Sequence, residues 1–576
     1  MIVPLGIPAR VTCAIAVGCL LNARMALAFP ASDPTSPSVV TTAPPPSESD
    51  LRHQLQMQSG FGAAASGGGW TFTPMLSLQE AWTDNILNTT NNRRWDILTL
   101  FTPSIAINGD VPNAQVRFQY GPQFRLAART PQENGVTNQL VGTGLFTIVP
   151  DEFYVDARAF AGGSPLGGGF GALGPGVTPN FGGISTPTGL GTTGLSNQNQ
   201  VQTTSVSVAP YWLHRFGDTG TAKIGYQINE SSFSQGNTYV PIFFPTGHNT
   251  GYNVTNEGVA QFETGDRFAP FRNLTIADAQ IGNGNFQGNS QEYTVINQLG
   301  YLVNRDITVF GQLGYESLRF DGIPPTRIDD VIWGVGTTWT PNPDSQITVT
   351  FGHRYGENNF GLNGSYALTT RTRISAYYTT GIQNDLQGLQ SQLDLASLTT
   401  TGQTVDSQTG APLFIGNGGL GFQSGLFRTK SFTASVNTTL DRDQFGVSVQ
   451  ISQSTTLALP PTGSVVIVNV PTAPVGSTST AKSIYGSWLH QISDDLTLSS
   501  SASFSSSHFG GSSGNQQSWA VSIGMQYLIS QTLAATASYS FFDYLTSAQN
   551  ILIFNRSGQN QSYYQNLVLV GLTKQF

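Results

Sequence analysis

After its N-terminal leader the chain contains no apolar run long enough to be a membrane helix, yet it alternates between apolar and polar residues with period two. In Ala114–Leu126 one face carries Val116, Phe118, Tyr120, Phe124 and Leu126, and the other Gln115, Arg117, Gln119, Gln123 and Arg125. The same alternation recurs in Gln346–Tyr355, Phe445–Ser452 and Trp519–Tyr527. Strands with one apolar and one polar face suit a wall between lipid and water. In lipid only a helix or a closed barrel satisfies every backbone group, so a membrane reading of these strands demands closure.

Composition agrees. Charged residues make up 10% of the chain, against about 25% in soluble globular proteins. Mean hydropathy is −0.10, too low for a helical membrane protein. Aromatics are plentiful, with 34 Phe, 19 Tyr and 8 Trp. The expected fold is all-β: a single transmembrane, antiparallel up-and-down β-barrel of about 20 strands. Short turns are expected at Gly109-Asp110, Gly217–Gly220, Asn304–Asp306, Pro341–Asp344, Asp441–Asp443, Ser493–Asp495 and Ser530-Gln531. Longer loops are expected near 83–94, 162–198, 236–288, 384–426, 458–478 and 545–560. In outer-membrane barrels the short turns are periplasmic and the long loops extracellular.

The first 28 residues read as a signal peptide. Arg10 supplies the positive region, Val11–Leu21 the apolar stretch, and Ala26-Leu27-Ala28 the cleavage site. The apolar stretch falls well short of the roughly 20 residues that span a bilayer. Lipidation at Cys19 is disfavoured because Ala16 stands where Leu is preferred. Residues 29–69, rich in Pro, Ser and Gly, read as a disordered periplasmic segment, and 70–576 as the barrel. Both cysteines, Cys13 and Cys19, lie in the leader, so no disulfide or thiolate metal site is expected. Of 25 basic residues the leader holds Arg10 and Arg24 and no acid, leaving 23 against 33 acids, a net charge of −10. That balance argues against nucleic acid as a partner.

No catalytic constellation is legible. Gly510-Gly511-Ser512-Ser513-Gly514 matches a nucleophile elbow but lies between strands, not between a strand and a helix. Gly416–Gly421 fits a dinucleotide fingerprint without its βαβ unit. The six histidines have no metal-ligand spacing. The chain is therefore read as a non-enzyme without cofactor or metal. The informative residues are the candidate lumen-lining charges Arg117, Arg125, Asp156, Arg158, Glu316 and Arg354, whose mixed signs favour pairing within the wall over a selectivity ring. Tyr154, Phe310 and Phe542 are expected to face inward, where they would suit a glycan path. Trp333, Trp339, Trp519 and Tyr527 are expected to face outward as interfacial girdles.

Two resemblances add to this. The last strand, Asn566–Phe576, resembles the C-terminal signal read by the barrel-assembly machinery, with Val568, Val570, Leu572 and Phe576 on one face. Lys574 departs from that pattern. Residues 70–165 resemble a family of outer-membrane β-barrel porins associated with exopolysaccharide and exosortase (PEP-CTERM) gene systems. The resemblance is carried by Pro74–Glu80, Trp82-Thr83-Asp84-Asn85, Phe101–Ile105, Tyr120 and Arg125, and Leu145–Ala159 with Asp156-Ala157-Arg158-Ala159. It implies an outer-membrane location and a link to surface polysaccharide, and brings no catalytic or ligand-binding residues. The expected function is a porin-like channel connected with exopolysaccharide export, with polysaccharide or small solutes as passengers. A non-conducting structural or surface-binding barrel is the alternative.

Overall fold

The computed structural model describes residues 69–165, 200–235, 250–286, 288–398, 404–406, 423, 425–461, 473–511, 515–546 and 562–576. Residues 1–68, with Ala26, Ala28 and His53, lie outside the described residues, as do His248, Gly416–Gly421 and Ser512–Gly514.

Strands β1 to β5 are Gly69–Thr83, Asp96–Val111, Ala114–Ala127, Gly135–Val149 and Phe153–Pro165. Strands β6 to β10 are Gln200–Arg215, Gly220–Gln235, Thr250–Thr264, Phe271–Gly284 and Ser290–Asn304. Strands β11 to β15 are Ile307–Phe320, Thr326–Asn342, Ser345–Arg354, Glu357–Thr369 and Thr372–Gln383. A helix, α1 (Asp385–Leu395), and a small hairpin, β16 (Ala396–Leu398) and β17 (Thr404–Asp406), follow. Strands β18 to β24 are Leu426–Thr439, Asp443–Ala458, Thr478–Gln491, Leu496–His508, Asn515–Ser530, Leu533–Thr546 and Tyr563–Gln575.

All strands except β16 and β17 form one 22-stranded sheet. Each pairs antiparallel with its neighbours in the chain, and β1 pairs with β24, which closes the barrel. The burial pattern is the inverse of a soluble protein's. On β22, Val521, Ile523, Met525 and Tyr527 are exposed while Gln516, Ser518 and Gln526 are buried. On β1, Leu78 and Trp82 are exposed while Ser77, Gln79 and Thr83 are buried. The barrel is therefore apolar outside and polar inside, as a lipid-embedded wall requires.

The strand number corrects the expectation of about 20. The stretch 236–288, expected to be one loop, contains β8 and β9. Their alternation is weak: Asn256, Gly258 and Ala260 occupy the outer face of β8, and Ile276 sits buried on the inner face of β9. Pairing on both sides holds these strands despite that. Gly109-Asp110 is not a turn. Both residues belong to β2, and the turn is Pro112-Asn113. Gly109 lies under the Trp70 ring, where an added Cβ would sit 2.7 Å from a ring carbon, so glycine there lets the aromatic cover the strand. The 384–426 loop holds α1, which no sequence signal had indicated.

The closing seam is short. β1 meets β24 only from Met75↔Gln575 to Thr83↔Leu567, whereas it meets β2 along its whole length. The first long loop reinforces the seam. Asn566 donates its backbone N–H and its side-chain amide to the Asp84 carboxylate at 2.8 and 2.7 Å. Arg93 pairs with the same carboxylate and lies over the Tyr564 ring. Asn85 donates to the Tyr564 carbonyl at 3.0 Å, and Gln565 donates back to the Asn85 carbonyl at 3.0 Å. Removing the carboxylate leaves several donors without their acceptor. Asp84→Ala is expected to cost about 1–3 kcal/mol, read as a lower temperature for the shift between folded and unfolded mobility in detergent electrophoresis. An unchanged midpoint would show that the seam does not depend on this loop.

Candidate functional site

The chemistry of the inner face concentrates on β8 to β13. Register places Asp278 of β9, Thr294 of β10, Glu316 of β11 and Asp330 of β12 in one row across the sheet. The neighbouring row runs Glu257 of β8, Gln280 of β9 and Glu292 of β10. Strand alternation gives these side chains the inner face, since Tyr293, Val295, Tyr315 and Val331 occupy the outer one.

Arg354 enters this patch because of a break in pairing. β12 and β13 pair no further up than Trp333↔His353, so the upper part of β12 has no partner on that side. Arg354, the last residue of β13, reaches Glu316 with Nε 3.2 Å from Oε2, and both side chains are buried, at 6% and 0% exposure. The other Glu316 oxygen accepts the Tyr355 backbone N–H. Tyr355 and Gly356 form the two-residue turn to β14 with φ of 58° and 76°. That is the type I′ geometry hairpins favour, and a non-glycine at the first position carries strain. The hydrogen bond from Tyr355 to Glu316 and burial of its ring offset that strain. Around this core, Arg428 pairs with Glu357 and donates to the Tyr355 carbonyl at 3.0 Å. Lys430 lies 3.6 Å from Glu357, and His353 is 2.8 Å from Asp330. Three inner-face carboxylates, Asp278, Glu292 and Glu316, thus share one guanidinium, while Glu257 of the next row faces Lys223 of β7.

The six charges singled out from the sequence fall into three places. Glu316 and Arg354 are one ion pair. On β5, Asp156 and Arg158 form a two-pronged pair, with Nε to Oδ1 at 2.9 Å and Nη2 to Oδ2 at 3.2 Å. Beside them Tyr154 stacks on Tyr211 at 5.3 Å, and Lys223 lies 4.8 Å from the Tyr211 ring centre. Arg117 and Arg125 stand on β3, about 26 Å apart along the strand, each with an acid nearby: Asp110 and Glu133 respectively. No ring of one sign results. Tyr154, Phe310 and Phe542 are buried on the inner face, while Trp333, Trp339 and Tyr527 are exposed on the outer face. Val568, Val570, Leu572 and Phe576 are all exposed, and Lys574 reaches the neighbouring turn, 2.6 Å from Thr532 Oγ1.

Sequence reasoning missed α1, which follows β15 directly but packs against β5, β6, β7 and β8, far around the ring. Gln390 Oε1 accepts from Thr255 Oγ1 of β8 at 3.3 Å, and Leu386 and Leu389 are buried. Thr255 lies on the inner face, so the helix lies within the barrel. It packs on the strands that carry the buried small polar residues Ser205, Ser231 and Thr255. Sequence reasoning also missed Asp278, whose strand carries little apolar alternation, and Glu292, although Tyr293, Val295, Leu299, Tyr301 and Val303 alternate along its strand. Among the described residues no group of three or more His, Cys, Asp or Glu is placed to hold a metal.

No family model and no curated protein matches the chain. Among solved structures it is similar to the FrpB iron transporter from Neisseria meningitidis, at 10% identity and a TM-score of 0.46, covering 91% of this chain and 84% of that one. It is also similar to the ferric-catecholate import receptor Fiu from E. coli K12, at 10% identity and a TM-score of 0.45, covering 88% and 82%. A ferric enterobactin receptor, PfeA, from Pseudomonas aeruginosa matches at 10% identity and a TM-score of 0.39, covering 88% and 81%. Likenesses this distant carry no inference about what this chain does.

Proposed function

We propose that the chain is an outer-membrane barrel acting as a porin-like channel, its lumen narrowed by α1 and lined on one side by the carboxylates of β8 to β11. The observation that carries this reading is the closed 22-stranded wall with apolar side chains outside and polar side chains inside. In the same reading residues 1–28 direct export and are cleaved after Ala28, residues 29–69 remain periplasmic, and the barrel-assembly machinery reads the final strand. The link to surface exopolysaccharide rests on the resemblance of residues 70–165 alone.

The purified barrel in a planar bilayer tests this. Stable unitary openings are expected, with a preference for cations because carboxylates outnumber guanidinium groups in the inner-face patch. Replacing three of them together, Glu257→Gln, Asp278→Asn and Glu292→Gln, is expected to lower the cation-to-anion permeability ratio severalfold, seen as a smaller reversal potential across a salt gradient. An unchanged ratio would remove the patch from the conduction path.

The second reading, a non-conducting structural or surface-binding barrel, is favoured by one observation: α1 and the burial of inner-face polar residues leave less open lumen than the strand number allows. Absence of openings in both the intact protein and a variant without α1 would decide for it.

A further inference from the structure

The outer face of β10 to β12 carries a feature the channel reading does not use. Tyr301, Val309 and Trp339 mark the lower edge of its apolar belt, and Tyr293, Tyr315 and Trp333 the upper edge. Above them, toward the long loops, the register pairs Ser317 with Asp329 and then Arg319 with Arg327. Both arginines are exposed, Arg327 at 66% of its side chain.

Two like charges directly opposite each other on one face of a sheet repel. Asp329 stands near both: its Oδ2 is 2.5 Å from Arg327 Nε, Ser317 donates to its other oxygen at 2.6 Å, and it attracts Arg319 without contacting it. Asp321, the next acid along the chain, is turned to Asn289, from which it accepts two hydrogen bonds. Arg319 makes no hydrogen bond or ion pair with any described residue. The pair therefore has donors to spare at one height on the wall. Arg319 lies four residues beyond Tyr315, about 13 Å along the strand, or ~10 Å along the membrane normal at the usual strand tilt. Long, flexible arginine stems at that height reach the headgroup layer above the aromatic girdle. Paired guanidinium forks match a phosphate, which accepts two-pronged hydrogen bonds from each.

We infer that Arg319 and Arg327 clamp the phosphate of an anionic outer-leaflet lipid against the outside of the barrel. This rests on the outer-membrane reading above.

The test uses the full-length barrel in nonionic detergent without phosphate buffer. Its thermal unfolding is followed while bisphosphorylated lipid A, the same lipid enzymatically dephosphorylated, or inorganic phosphate is added. Lipid A is expected to raise the unfolding temperature and the dephosphorylated lipid to do so far less. In the double variant Arg319→Gln, Arg327→Gln, lipid A affinity is expected to fall at least about tenfold, since the loss of a single charged hydrogen bond already amounts to that. The variant Arg319→Lys, Arg327→Lys keeps the charge without the fork and is expected to fall between the two. Equal shifts from both lipids, or an undiminished shift in the glutamine variant, would overturn the site. A shift of the same size with inorganic phosphate alone would replace it with a free-anion site. Recovery of the chain outside the outer-membrane fraction of cells would overturn the membrane reading itself. A barrel in that fraction with no phosphate dependence would overturn only the clamp.

Discussion

Replacing Asp385–Leu395 with a flexible Gly/Ser linker is expected to raise single-channel conductance roughly twofold or more, because a helix with its side chains occupies a cross-section about 10 Å wide. The helix packs on β5 to β8 from across the lumen and ties to the wall through Gln390 and Thr255. Conductance follows the narrowest cross-section, so an obstacle of that width dominates the resistance of a barrel this size. The barrel itself should survive the exchange, since the strand ladder from β15 to β18 runs from Thr372↔Thr438 to Gln383↔Phe427 without help from the helix. Folded mobility in detergent electrophoresis provides the control. Identical conductance in a folded variant would place α1 outside the path of ions. Openings seen only in the variant would mean that α1 holds the native barrel shut.

The second large effect is expected at Glu316. Glu316→Ala takes away the carboxylate that Arg354 contacts directly in the wall and removes the acceptor of the Tyr355 N–H in a turn already at positive φ. Breaking a buried ion pair from one side costs about 3–5 kcal/mol. The urea midpoint of the refolded barrel in micelles should fall accordingly. The paired change Glu316→Leu, Arg354→Met is expected to recover part of the loss, because neither member of the pair then needs solvating in the wall while Asp278 and Glu292 lose the Arg354 charge. If Glu316→Ala unfolds at the wild-type midpoint, lumen water reaches the pair and the burial argument fails. If the double variant is as weak as the single one, the pair positions the Tyr355 turn and its charges are incidental.

The wall was legible from residues 114–126, 346–355, 445–452 and 519–527, because which face a strand residue takes is a local property of period two. The inward placement of Phe310 and Phe542 and the outward placement of Trp333 and Trp339 follow from that parity alone. β8 and β9 escaped notice for the converse reason. Asn256, Gly258 and Ala260 on one outer face, and Ile276 on an inner face, blur the alternation that parity needs.

The Asp84-Asn85 pair shows where local reading stops. It was visible as part of a motif at the first loop, but its partner Asn566 lies 482 residues away. Only closure of the barrel brings the two together. Glu316 and Arg354 are 38 residues apart and meet because the β12–β13 ladder ends early. α1 has a polar, unremarkable sequence, and what decides its place is the wall it lands on, Thr255 among it. The sequence by itself determined that the chain makes strands and which face of each strand is apolar, since both depend on neighbours two residues away. Tertiary structure alone decided the strand number, the register that gathers the carboxylates, the seam and the filling of the lumen. Those depend on contacts between residues that the chain order keeps far apart, and no period in the sequence encodes them.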